Sequence, residues 1–138
     1  MGELYTTKAA GEETGGAFAL VEVSTPPEGG PPPHIHHRED ETFYVLEGAL
    51  EFMSENSVFT AVSGSFVHVP RGSLCTYKNA GTTPARSLAM VAPAGFERFF
   101  EEAGESAADD SSPPPGEPDI EKVLTVASEY GLEVPPPE

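Results

Sequence analysis

The sequence is poor in positive charge, in cysteine and in long apolar runs. Lys and Arg together number 7 against 23 Asp plus Glu, a formal net charge of -16. A surface this acidic repels nucleic-acid phosphates and anionic lipid headgroups, which argues against both as partners. An anionic substrate is disfavoured too, unless a bound divalent cation reverses the sign locally. Cys75 is the single cysteine, so no internal disulfide can form. No apolar stretch reaches the length of a signal-peptide core or a membrane span, and together these absences predict an intracellular, cytoplasmic protein. The βαβ rhythm of a parallel sheet is missing, as is any internal repeat. At 138 residues the chain suits one domain with its own core and is short for two.

What is present, from Ala17 to Ala92, is a series of short strand-like runs broken by turn residues: "AFALVEVST", "TFYVLEG", "ALEFMS", "SVFTAV", "SFVHVP", "LCTYKN" and "ARSLAMVAP". Their spacing predicts an antiparallel sandwich or barrel over residues 17–94. Glu47-Gly48, "SEN" at 54–56 and "NAGTTP" at 79–84 are turn signals between runs. Residues 1–16 read as an extended arm. After Ala94 the pattern changes: "GFERFFEEAG" spaces Phe96, Phe99 and Phe100 as on a short amphipathic helix. "ESAADDSSPPPGEPD" at 105–119 is a linker with little to bury. "IEKVLTVASEYG" then predicts a second helix, with Asp119 as N-cap, Gly131 as stop and Ile120, Val123, Leu124 and Ala127 as its apolar stripe. Residues 95–138 thus form a helical extension on an all-β body.

The chemistry gathers in "PPPHIHHREDETFYVLEG", residues 31–48. In an extended segment side chains alternate, so His34 and His36 point to one side and Ile35 and His37 to the other. Glu41 has the wrong parity for a continuous strand, but "HRED" at 37–40 can turn or bulge and bring it back to the same side. Two histidines and one carboxylate on one face suit non-haem iron, and also zinc, manganese, nickel or copper. A solvated polar loop is the competing reading of these residues taken alone. His37, Glu39 and Asp40 read as rim or turn residues kept in solvent, and His68 as a hydrogen-bonded histidine outside the site.

At this point the sequence resembles the cupin superfamily. His34, His36, Glu41 and Gly48 match the spacing of its first motif; the opening Gly of that motif should fall at position 28, where this chain has Glu28 and then Gly29. "GSFVHVPRGSLCTYKN", residues 64–79, resembles the second motif, with Gly64, Pro70, Gly72 and Asn79 in register, but Cys75 stands where the family has a His. The chain as a whole is similar to small bacterial cupins of the quercetin-dioxygenase-like group. The resemblance implies a jelly-roll barrel with a divalent metal ion (zinc, iron, nickel or manganese) in one mouth, held by His34, His36, Glu41 and the residue at position 75.

Three readings of Cys75 follow. Its thiolate completes the ligand set, it stands aside from a three-ligand facial site, or the site has lost affinity and Cys75 is a small buried hydrophobe. For function, the resemblance suggests a metal-dependent dioxygenase-like enzyme on a small phenolic or enolisable molecule, with Glu41 as base. The alternatives are a non-catalytic metal or small-molecule binding module and a metal-assisted isomerase or cyclase. Phe43, Val45, Phe52 and Tyr77 point inward by parity, as core or as pocket lining. Tyr44 and Leu46 point outward as an apolar patch, which predicts a homodimer.

Overall fold

A computed structural model describes residues 2–55, 57–96, 98 and 128–135. In chain order the elements are β1 (Leu4–Ala9), α1 (Gly11–Thr14), β2 (Ala19–Thr25), β3 (His34–His36), β4 (Asp40–Glu47), β5 (Ala49–Ser54), β6 (Ser57–Val62), β7 (Phe66–Val69), β8 (Leu74–Lys78), β9 (Ala85–Ala92) and β10 (Leu132–Glu133). They build two five-stranded sheets, β1-β2-β9-β4-β7 and β10-β3-β8-β5-β6, in which the paired strands run antiparallel. The all-β reading of the sequence is therefore the observed architecture.

Alternation along the strands decides which side chains meet between the sheets. β2 buries Ala19, Val21, Val23 and Thr25, and β4 buries Glu41, Phe43 and Val45 while Tyr44 stays exposed. Phe43, Val45, Phe52 and Tyr77 all belong to one apolar cluster with Val21, Val23, Leu50, Val67 and Val69. Each fully buried side chain of this size contributes on the order of 1.5–3 kcal/mol, so this interior is what holds the two sheets face to face. Phe43, Phe52 and Tyr77 pack ring against ring, with centroids 5.2–5.5 Å apart.

Both ends of the chain add a strand that the sequence reading does not specify. Residues 4–9, expected in an extended arm, pair with β2 from Leu4↔Ser24 onward. The reason lies just before β1: Glu3 is buried, and its carboxylate accepts hydrogen bonds from Tyr5 (2.8 Å), Thr25 (2.7 Å) and Tyr77 (2.7 Å). At the other end, Leu132 and Glu133 pair with His36 and Ile35. Ser128 and Glu129 are helical and the chain turns at Tyr130 and Gly131 into β10, so the helical stop expected at Gly131 is present, with φ of 74°. Phe99, Phe100, the linker at 105–119 and the helical run from Ile120 to Ala127 lie outside the described residues. No described helix is long and apolar enough to cross a membrane.

Candidate metal centre

β3 supplies His34 and His36 to the interior, both buried, with Ile35 between them facing the other way. The chain bends at His37 and Arg38, and β4 begins at Asp40 in the opposite sheet. That bend resets the alternation as the sequence required, and Glu41 enters the interior 6 % exposed. Glu41 Oε1 lies 3.3 Å from His36 Nε2 and 4.0 Å from His34 Nε2. His34, His36 and Glu41 each offer one ligand atom within 4.8 Å of the others. Ligands bound at roughly 2.0–2.2 Å in neighbouring coordination positions stand about 3 Å apart, so this spacing is that of a small cation's donors.

The remaining ring nitrogens set the tautomers. His34 Nδ1 lies 2.9 Å from the Pro32 carbonyl oxygen, which can only accept, so Nδ1 is the donor there and Nε2 is the nitrogen left to serve a metal. His36 Nδ1 faces Glu39 Oε1 at 3.5 Å, on the side of the ring away from Glu41. Glu39 is thus a correction: read from sequence as a solvated turn residue, it is 5 % exposed. Its parity is the signal that was available, since Glu39 and Glu41 flank an outward Asp40.

These neighbours govern ionisation. Burial works against the His36 cation, yet the Glu41 and Glu39 carboxylates outweigh it and raise the imidazole from 6.5 to about 9. Burial likewise opposes a charged Glu41, and the two imidazoles outweigh that, lowering it to about 2. Glu41 Oε1, Glu39 Oε1 and His36 Nδ1 are buried without a hydrogen-bond partner of good geometry. A buried carboxylate oxygen left in this state is costly. A divalent cation among the two Nε2 atoms and Glu41 Oε1 would satisfy it, so the residues present fit a metal.

Of the four residues expected to bind metal, the structure brings three together. Cys75 pairs with His34 across the β3–β8 ladder and is 1 % exposed. Its sulfur is not among the ligand atoms that lie within 4.8 Å of one another, and it makes a 3.9 Å contact with the Thr76 carbonyl. Burial, then the Glu41 charge, pushes the thiol up to about 12. His68 is exposed on β7 against Thr42 Oγ1 at 3.2 Å, and His37 is exposed with Nε2 2.9 Å from Glu133. Phe96 covers the centre: it is 3 % exposed, and its ring meets His36 edge-on with centroids 4.5 Å apart. Tyr130 packs behind Phe96 at 6.3 Å.

Comparison with known proteins meets this geometry from a separate direction. The cupin-domain family profile matches residues 21–91, slightly more than half of the chain. The chain belongs to the cupin family. This cupin is 28 % identical over 103 residues to quercetin 2,3-dioxygenase of Bacillus subtilis (strain 168), a match covering 75 % of this chain and 30 % of that protein. The chain spans about a third of the length of the curated relatives it matches. Among solved structures, KdgF from a Halomonas species superposes with a TM-score of 0.64 at 18 % identity, over 70 % of this chain and 84 % of that one. The polyketide cyclase RemF from Streptomyces resistomycificus gives 0.59 at 22 % identity, over 65 % and 64 %. Both likenesses carry the fold alone. Within this cupin, Glu28 stands at the motif position expected to be glycine and adopts φ of 69°, a left-handed conformation that favours glycine. Gly48 closes the first motif at φ of 83°, and a Cβ there would meet Ala85 at 3.1 Å.

Proposed function

We propose that this cupin is a mononuclear metal-dependent enzyme of the dioxygenase type, acting on a small phenolic or enolisable molecule. The observation that supports it is the convergence of His34 Nε2, His36 Nε2 and Glu41 Oε1 as one facial set of three buried donors. Three protein donors leave coordination positions for other molecules, as a catalytic site needs and a closed structural site does not. A bound divalent cation would supply Lewis acidity toward an enolate or phenolate oxygen. His34 and His36 hold the site from one sheet and Glu41 from the other. Glu41 would serve as the base toward a substrate hydroxyl only on leaving the metal transiently, since its carboxylate is also a donor of the set, and the Phe96 ring lies against the His36 side. The likeness to a quercetin 2,3-dioxygenase supports this substrate class.

One observation favours a second reading. Cys75, at the place expected for a fourth histidine, is buried as a neutral thiol beside the donor set. Loss of that ligand suits a cupin that binds metal without oxidative chemistry, either as a binding module or as a metal-assisted isomerase or cyclase. Oxygen consumption separates the readings, using protein loaded in turn with iron, nickel, manganese or zinc and offered a flavonol and a β-diketone. Saturable oxygen uptake that disappears in His36→Ala is expected. Substrate conversion without oxygen uptake would favour the isomerase or cyclase, and metal binding without conversion the binding module.

The unpaired, buried cysteine suits a reducing compartment, and we assign the protein to the cytoplasm. We also propose a homodimer. Leu88, Tyr44 and Phe66 face one another in register across β9, β4 and β7 on the outer side of their sheet, and Phe66 is 69 % exposed. Such an apolar row on an acidic molecule is suited to a second copy of the same face.

A further inference from the structure

Glu39 is absorbed by none of the roles above. It follows the bend at His37 and Arg38, where a carboxylate would ordinarily point to water, and its neighbour Asp40 does so: the Asp40 carboxylate accepts the Arg71 backbone N–H at 2.8 Å and lies 3.5 Å from that residue's guanidinium. Glu39 turns the other way. Its Oε1 is buried, has no hydrogen-bond partner of good geometry, and stands 3.5 Å from His36 Nδ1. The opposite ring nitrogen, Nε2, faces Glu41. The His36 ring therefore sits between two buried carboxylates, one on each nitrogen.

We propose that Glu39 is a positioning residue of the metal centre: its carboxylate accepts the Nδ1 proton of His36, so that Nε2 is held toward Glu41 as the metal donor. The proposal rests on the metal-centre reading given above. A metal-bound imidazole whose far nitrogen donates to a carboxylate is fixed in one tautomer and one orientation, and is a stronger base toward the metal. His34 reaches the same tautomer through the neutral Pro32 carbonyl, so charge enters the outer shell at His36 alone of the two histidines. A carboxylate that merely shaped the turn would have no reason to be buried against an imidazole.

Cobalt(II) titration of the full chain tests this, with visible absorption reporting the ligand field and zinc competition reporting affinity. Wild type, Glu39→Gln and Glu39→Ala are compared, and the metal-free melting temperature of each is recorded. Gln keeps an acceptor for Nδ1 and loses the charge, whereas Ala loses both. The expected result is one cobalt per wild-type chain, affinity weaker by about 10-fold in Glu39→Gln and by up to about 100-fold in Glu39→Ala. The cobalt bands should shift in Glu39→Ala and stay near wild type in Glu39→Gln, with metal-free melting temperatures alike. Unchanged affinity and bands in both variants would overturn the role of Glu39 and leave the metal centre standing, as would an affinity loss that only follows a fall in melting temperature. A wild-type chain that takes up no cobalt would overturn the metal centre itself, and the role of Glu39 with it.

Discussion

At the residue scale, the proton on His36 governs how the centre takes up metal. In the metal-free protein this imidazole is held charged up to about pH 9 by two carboxylates, so a metal must displace a proton to reach Nε2. Metal uptake near neutral pH should therefore release a proton, and affinity should rise with pH until about 9 and level off beyond it. Parallel titrations in two buffers of different ionisation enthalpy check this, and an affinity independent of pH between 6 and 9 would contradict it. The same shifts set the stability of the metal-free chain. The raised His36 contributes stability that is complete below about pH 6.5 and is lost as pH rises through about 9. The lowered Glu41 contributes stability that is present above about pH 4.5 and is lost as pH falls through about 2. Cys75 makes the second residue-scale prediction. If the three-donor set is complete, Cys75→Ser leaves zinc retention unchanged, whereas a ligating thiolate would make that variant lose zinc. Cys75→His should shift preference from zinc toward iron or manganese if a side chain at that position reaches the metal. Metal content of the three proteins purified side by side decides between them.

At the scale of elements, the centre is assembled by segments far apart in the chain. β3 is only three residues long, yet β8 flanks it on one side and β10 on the other. The segment around β10 is further tied down by His37 N–H to the Gly131 carbonyl at 2.9 Å and by the Arg38 guanidinium to the Glu129 carbonyl at 2.9 Å. Phe96 fills the space between His36 and Tyr130. Phe96→Ala should cost about 3–5 kcal/mol in chemical denaturation, because it removes a buried ring beside a group that cannot move without breaking the site. It should also speed metal loss to a chelator, and a stability change below about 1 kcal/mol would show that Phe96 is not packed there. Much of this arrangement was legible in the sequence, for definite reasons. Strand alternation placed His34 and His36 together, and a polar bend was the only way for Glu41 to join them. The resemblance to the second cupin motif implied a place at the metal mouth for position 75, and Cys75 lies opposite His34 in the ladder. Other features were not legible because they depend on contacts distant in sequence. β10 is two residues long and shows no pattern until it meets β3. β1 joins its sheet beside a buried Glu3 that composition alone assigns to the surface. Glu39 carries two opposed signals, a parity shared with Glu41 and a place beside a turn where charge is ordinarily solvated, and here the bend aims it at an imidazole.

At the scale of the whole molecule, a net charge of -16 surrounds a site that itself holds two buried carboxylates. Such a field concentrates cations, so cobalt or zinc association should slow as ionic strength rises. The exposed Tyr44 and Phe66, with the half-buried Leu88 in register beside Tyr44, break the polar surface, and light scattering at micromolar concentration should give twice the chain mass. Phe66→Glu, placing like charges across the proposed interface, should give one chain mass without loss of fold. The central claim is that His34, His36 and Glu41 bind one divalent metal. Elemental analysis of wild type and His36→Ala, prepared together and confirmed folded by circular dichroism, tests it most directly. Close to one metal ion per wild-type chain and almost none in the variant is the expected result; equal metal content in the two, or a wild type that stays metal-free after incubation with excess divalent ion, would rule the centre out.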